Sequence, residues 1–285
     1  SHAIYIARKT IEFFIERQST VNVCALDLAK AFDKMNRHAL FIKLLQRKCP
    51  LVLINILECW FSKIFTCVKW GDKRSSFVAL LCGIRQGEVA APTLFAVYIN
   101  EVLIKLLKSG LGCHIRNLCL NALMYADDLL LISISIVDMQ QMIDICKYEF
   151  DWLDMKCNVK KSGCIRLGNR FNVSPVELSI DNSFISWFSE LDYLGLVIKS
   201  GRVFRCEMHS VKVKFYRSLN GILGKLGAFP PVDVVLSLAS TFCNPILLFA
   251  LDALCLSRAE IISLSQPYNS IYMKLFSTFN LSVIS

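Results

Sequence analysis

Hydrophobic positions along the chain fall into runs whose spacing predicts a mixed fold of helices and strands. Thr10 to Arg17 reads as helix, and the β-branched apolar run Val21 to Leu26 (VNVCAL), which ends at Asp27, reads as a buried strand. From Lys34 to Lys48 the pairs Leu40/Leu44 and Phe41/Leu45 recur at helical spacing, and Pro50 is expected to close that helix. Arg37, Lys43, Arg47 and Lys48, with no acid between Asn36 and Lys48, predict a basic outer face. Short strand-like runs flank the turn signal Gly71-Asp72 within Val68 to Val78, and a loop at Gly83 to Gly87 leads into an apolar helix over Pro92 to Leu107. In Leu123 to Ser133 (LMYADDLLLIS) two acids stand side by side between apolar flanks, the pattern of a hairpin with buried strands and an exposed tip. A helix over Asp138 to Leu153, a polar turn at Asn158 to Ser162, and strands at Cys164 to Leu167 and Tyr193 to Ile198 follow. From about Gly201 the pattern is mainly helical. Phe215, Leu219, Ile222 and Leu226 share one stripe and Lys214, Arg217 and Lys225 another, while Gly221, Gly224 and Gly227 weaken that helix toward its end.

The composition narrows the classes of protein. With 54% hydrophobic residues over 285 positions the chain can bury a real core, which excludes a disordered one. A formal charge of +9 favours a polyanionic partner. Thirteen cysteines, an odd number without a CxxC pair, suggest neither a disulfide framework nor a zinc finger and fit a reducing interior, nucleus or cytoplasm. Cys113, His114 and Cys119 lie close in sequence but lack a fourth ligand nearby. The mean hydropathy of +0.48 raises the question of a membrane. The best candidate span is Val234 to Leu251, which is uncharged but interrupted by Ser237, Ser240, Thr241, Asn244 and Pro245, so a buried core segment is expected there and no membrane partner. The first residues carry no signal-peptide pattern and no initiator Met, so the chain is expected to be cut from something longer.

The chemistry is concentrated in acids. Asp27 at a strand end and Asp127-Asp128 at a hairpin tip are the residue types a Mg²⁺ site for phosphoryl transfer uses, because the hard ion takes carboxylate oxygens together with phosphates. The alternative is three ordinary turn acids, the commonest setting for Asp. Acids beside a strongly apolar core are costly unless something offsets their charge, which favours the ion.

At five places, in order, the residues resemble a known family. Ala25 to Asn36 (ALDLAKAFDKMN) matches the first palm motif of non-LTR (LINE-type, jockey-like) retrotransposon reverse transcriptases, and Gly83 to Asn100 (GIRQGEVAAPTLFAVYIN) the second. Tyr125 to Asp128 is similar to the YADD box, Asn158 to Ser162 (NVKKS) to the lysine motif, and Tyr193 to Ile198 (YLGLVI) to the primer-grip strand. The resemblance implies an α+β fold: a polymerase palm, an antiparallel sheet backed by helices, over residues 1–200 with a remnant of fingers, and a helical thumb or connection over 201–285. It implies RNA-directed DNA polymerisation by attack of a primer 3′-hydroxyl on a dNTP, with two Mg²⁺ ions, or Mn²⁺, on Asp27, Asp127 and Asp128, an RNA template and a DNA primer. Lys161 would protonate the leaving pyrophosphate. Phe32 would block a ribose 2′-hydroxyl, and Gln86 and Gly87 would contact nucleotide and template. Tyr193, Leu194 and Gly195 would meet the primer, and Lys214, Arg217 and Lys225 suit a face that tracks phosphates. The chain departs from the family pattern at Ala90-Ala91-Pro92, where Leu-Ser-Pro is usual, and at Asn100-Glu101, where Asp is frequent. The basic fingers residues that grip the triphosphate are expected to precede Ser1. The competing expectation is a degenerate copy that binds nucleic acid without polymerising.

Overall fold

The computed structural model describes residues 1–85, 87–227 and 231–276. In chain order it contains α1 (His2–Glu16), β1 (Thr20–Asp27), α2 (Ala31–Lys34), α3 (Arg37–Gln46), α4 (Leu51–Ser62) and four two-residue strands, β2 (Phe65–Thr66), β3 (Lys69–Trp70), β4 (Lys73–Arg74) and β5 (Val78–Ala79). Next come α5 (Ala91–Ser109), the small hairpin of β6 (His114–Ile115) and β7 (Leu118–Cys119), the hairpin of β8 (Ala122–Tyr125) and β9 (Asp128–Ser133), and α6 (Ile136–Trp152). The strands β10 (Gly163–Gly168), β11 (Leu178–Ile180), β12 (Ser183–Trp187), β13 (Glu190–Tyr193), β14 (Leu196–Lys199) and β15 (Arg205–Glu207) precede the helices α7 (His209–Leu226), α8 (Val232–Phe242), α9 (Asn244–Leu248) and α10 (Arg258–Phe276).

Two compact units emerge, and neither is continuous in sequence. One gathers Ser1–Val21, Ile165–Val173 and Phe188 onward; the other gathers Asn22–Cys164 and Ser174–Trp187. The principal sheet has the order β11-β12-β10-β1-β9-β8. Its β1–β9 and β8–β9 pairs are antiparallel, while β10 and β12 run parallel, a departure from the fully antiparallel sheet expected. β1 and β9 sit in the middle, so both of their faces are covered and their sequences are almost unbroken apolar runs. Leu26, Leu129 and Leu131 pack into one core with Phe95, Tyr98 and Val102 of α5 and Met142, Ile143, Cys146 and Phe150 of α6. Truncating one such leucine to Ala would cost about 2–5 kcal/mol.

Local chemistry explains where elements begin and end. The helix expected from Thr10 starts at His2, because Ile4, Ala7, Ile11 and Phe14 extend the buried stripe by two turns. The helix expected over Lys34–Lys48 is broken at Met35–Asn36. Asn36 is extended and its side chain accepts from the backbone N–H groups of His38 and Ala39, which makes it the cap of a new helix. Pro50 does not merely end that segment. It sits at the start of α4, where a missing N–H costs nothing, and the exposed apolar residues Leu51, Val52, Leu53, Ile56 and Trp60 hide the helical period of α4 in the sequence. The basic outer face of α3 also needs correction, since Lys43 is buried with its ammonium over the Trp152 ring.

The first unit holds α1, α7 to α10 and the three-stranded β13-β14-β15 sheet, and its helices α7 to α10 pack together with Phe215, Leu219, Val235 and Ala239 buried. The YLGLVI segment is a tight hairpin and not one strand, because Leu194 (φ 49°) and Gly195 (φ 82°) both adopt left-handed backbone between β13 and β14. Residues Val232–Ala253 are long and apolar enough to cross a membrane by length and composition. They break at Cys243, and the resulting α8 and α9 pack against each other and against α7. Only 28% of their most apolar stretch is buried, less than the core segment expected: Val235, Ala239, Cys243 and Leu247 face inward, while Phe242, Leu248 and Phe249 are exposed.

Gly83 carries a steric prediction. Its φ of 75° is left-handed, and a Cβ there would lie 2.3 Å from the carbonyl oxygen of Asp33. Gly83→Ala combines that overlap with left-handed strain, so a loss of about 3 kcal/mol is expected. Urea denaturation should show the midpoint falling at an unchanged m-value; a midpoint equal to wild type would show that the backbone yields freely.

Candidate active site

The acids meet at one end of the central sheet. The β1–β9 register places Asp27 directly opposite Asp128, the last pair of that ladder. β8 and β9 close through a two-residue loop, Ala126-Asp127, with Tyr125 opposite Asp128. Ala126 has φ 53°, the left-handed conformation such short hairpins require, held here without glycine at a cost of about 1 kcal/mol. That strain buys a sharp tip on which Asp127 follows immediately, half-buried like Asp27 and Asp128. Desolvation first, then the charges of Asp127 and Asp27, push the Asp128 carboxyl above its usual range. Two acids whose charges raise the proton affinity of a third mark a site for positive charge. Among the described residues no three His, Cys, Asp or Glu side chains converge tightly enough to enclose an ion by themselves, so further ligands would come from water and phosphate, as a hard ion prefers. The acids are thus the right donors, displayed at an open edge.

A turn that the sequence marked for its lysine is tied to the first acid. The Asn158 N–H donates to the Asp27 carbonyl at 2.8 Å, and the Asp27 N–H donates to Ser162 Oγ at 3.1 Å. Ser162 Oγ in turn donates to the Asn158 carbonyl at 3.0 Å, and the Lys161 N–H donates to the same carbonyl at 3.0 Å. Lys161 is exposed, on a turn whose two ends are clamped to the strand that carries Asp27. Ser162 is the residue sequence reasoning missed. A buried hydroxyl in a polar turn was the available signal.

Phe32 is half-buried and stacks on Phe95 of α5, ring centroids 4.5 Å apart at 25°. Its carbonyl accepts from the Ile84 N–H at 2.9 Å, and the Met35 carbonyl accepts from the Gly83 N–H at 2.8 Å, so the loop before Gly87 is laced to the Phe32 segment. Gln86 lies outside the described residues. Gly87 is exposed with φ 88°, a conformation that favours glycine. α5 begins at Ala91 with no side-chain cap at Ala90, the structural counterpart of the missing serine motif.

Arg37 is a second omission. Its guanidinium donates to the carbonyls of Gly83 (3.0 Å), Phe61 (2.9 Å), Leu80 (2.6 Å) and Cys82 (3.3 Å) and lies 5.0 Å over the Phe61 ring. Removal from water lowers its pKa, an effect that the charges of Cys82 and Glu88 oppose. The remaining expected residues belong to the other unit. Tyr193 is buried at the end of β13, Leu194 and Gly195 form the turn, and Lys214, Arg217 and Lys225 are exposed along α7 outside any ion pair among the described residues. The Cys113-His114-Cys119 group forms the small β6–β7 hairpin, where burial pushes the Cys113 thiol up to about 12.

A sheet end carrying one acid on a central strand and two on an adjacent hairpin, with helices on the sheet, defines a polymerase palm. The family described as reverse transcriptase (RNA-dependent DNA polymerase) matches residues 5–198, and the chain belongs to it. It is 26% identical over 208 residues to the RNA-directed DNA polymerase from mobile element jockey of Drosophila funebris, covering 70% of this chain and 22% of that protein. It is 25% identical over 190 residues to a Pol polyprotein from type-1 retrotransposable element R2 of Popillia japonica, covering 64% of this chain and 31% of that one. The chain therefore spans less than a third of the length of these relatives. Among solved structures, apo telomerase from Candida tropicalis aligns with a TM-score of 0.53 at 12% identity, covering 96% of this chain and 48% of that one. Telomerase from Candida albicans in complex with a fragment of telomeric RNA aligns at 0.50 and 13%, covering 98% and 48%. These structural likenesses show the fold.

Proposed function

We propose that this chain is the catalytic palm of a non-LTR retrotransposon reverse transcriptase that copies RNA into DNA. The observation that carries the reading is the Asp27–Asp128 register with Asp127 at the adjoining turn. Asp27, Asp127 and Asp128 would hold Mg²⁺ or Mn²⁺, and a divalent ion there lowers the barrier to phosphoryl transfer by offsetting charge on the phosphates and activating the attacking oxygen. The chain's own residues do the rest. Ser162 and Asn158 hold the Asp27 strand end, and Lys161 offers an exposed ammonium on that clamped turn as a proton source for pyrophosphate. Phe32, backed by Phe95, forms a flat wall for the sugar. A template RNA, a DNA primer and dNTPs are the partners. A reducing intracellular compartment belongs to the same reading, supported by thirteen free cysteines.

Incorporation of dNTPs on a primed RNA template is the direct test. Synthesis that requires Mg²⁺ or Mn²⁺ is expected; binding of primer-template without metal-dependent synthesis would favour the degenerate-copy reading. Phe32→Val should open the wall and shift rNTP/dNTP selectivity by about tenfold, since the discrimination is steric. Equal selectivity in the two proteins would remove Phe32 from this role. Neutralising Lys214, Arg217 and Lys225 together should weaken duplex binding for all sequences alike and lower the salt slope by up to about three, roughly one per lost phosphate contact. An unchanged slope would leave them a solvated helix face.

A further inference from the structure

Residues 65–79 form a narrow ribbon whose side chains have little protein to touch. All are exposed except Cys67, which is half-buried. β2 pairs with β5 at the base and β3 with β4 at the tip, and the Val68 and Ser75 backbones bond between them at 3.0 Å. The base is fixed: Arg85 donates to the Phe65 carbonyl at 2.7 Å, the Leu80 N–H donates to the Ile64 carbonyl at 2.9 Å, and Arg37 holds the Leu80 carbonyl. An anchored ribbon that buries almost nothing of itself has its side chains free for something else.

Those side chains are of two kinds. Trp70 is 86% exposed and Phe77 68%, extreme values for large aromatics in a protein with this much core. Lys63, Lys69, Lys73 and Arg74 are exposed and outside any ion pair among the described residues, and Asp72 is the single acid of the ribbon. Cross-strand partners share a face, so Trp70 stands beside Lys73 while Lys69 stands beside Arg74 on the other side. Every face at the tip is therefore charged, unlike a surface made to enter a bilayer or dock on an apolar protein. Planar rings among cations match unpaired nucleotides, whose bases stack on the rings while the phosphates meet the cations; a duplex hides its base faces.

We infer that the 65–79 ribbon is a binding site for single-stranded nucleic acid, with Trp70 and Phe77 as stacking platforms and Lys69, Lys73 and Arg74 as phosphate contacts. This goes beyond the polymerase reading and rests on it only for the kind of partner. The test measures affinity of the full chain for a labelled single-stranded RNA of about 15 nucleotides and for a duplex of equal length, without divalent metal, so that the outcome is independent of synthesis. Trp70→Ala with Phe77→Ala should weaken single-strand binding by at least about tenfold and change duplex binding less than about twofold, with Trp70→Phe retaining most of the affinity. Lys69→Ala, Lys73→Ala and Arg74→Ala together should lower the single-strand salt slope by about two. Thermal midpoints near wild type would confirm that these exposed positions leave the fold intact. Single-strand affinity unchanged in the aromatic double variant overturns the inference. So does a variant that loses only binding to phosphatidylserine vesicles, which would make the ribbon a membrane contact, or only self-association, which would make it an interface between copies.

Discussion

Asp127→Asn is expected to reduce metal-dependent primer extension by at least about a thousandfold, a barrier increase of about 4 kcal/mol. Asp127 stands at the tip of the β8–β9 hairpin, half-buried, and its side chain makes no hydrogen bond or ion pair among the described residues. Asn has the same shape and no charge, so the fold loses nothing on which it depends. The site loses one of three charges that an ion needs. The Asp128 carboxyl, raised in part by Asp127, would lose a repelling neighbour, so the thermal midpoint of the variant should not fall. Primer extension and thermal melting on the same preparation separate the two effects. If more than about a tenth of wild-type extension survived, a deficit under about 1.4 kcal/mol, Asp127 would not be a metal ligand of the reaction.

Arg37→Ala should be as damaging to stability as Gly83→Ala, with an expected loss of about 3 kcal/mol. The guanidinium meets four backbone carbonyls, of Phe61, Leu80, Cys82 and Gly83, at 2.6 to 3.3 Å. Hydrogen bonds to a charged donor contribute about 1.5–3 kcal/mol each, but part of that returns when water reaches the freed carbonyls of a half-buried site. The sum is held down accordingly. Arg37→Lys should recover less than half, because an ammonium cannot present the planar fork that reaches carbonyls from two chain segments at once. Urea denaturation measures the loss, and limited proteolysis between Phe65 and Leu80 should accelerate in the Ala variant. A shift under about 1 kcal/mol would mean that the loop is held by its glycine and backbone bonds instead.

The sequence made the palm legible because its strands bury both faces. VNVCAL and DLLLIS are short, nearly continuous apolar runs in the middle of the sheet, and their length, the valines of the first and the acids and turns that bound them mark them as strands. The acids were legible for the same reason, as charges set against that background. What escaped was set by single hydrogen bonds or backbone torsions. Asn36 divides a helix through its side chain, Ser162 ties a turn to a strand through one hydroxyl, and Leu194 turns a chain that its apolar composition favours as extended. Arg37 looked like surface charge because a guanidinium bound to carbonyls has no partner visible in sequence. α4 was lost for the opposite reason: exposed apolar side chains flank its narrow polar stripe of Asn55, Glu58 and Ser62 and blur the period.

The opposition of Asp27 and Asp128 also bears on how the molecule matures. The two residues are about a hundred positions apart, and a pair of that separation closes late, after loop-closure entropy has been met by the apolar rungs behind it. Side chains alternate along a strand, so a slip of one residue would turn Asp27 to the other side of the sheet, away from Asp128. The register of the apolar ladder therefore sets where the charges at its end meet, and a ribosome must have released well past Ser133 before the first acid can find its neighbour.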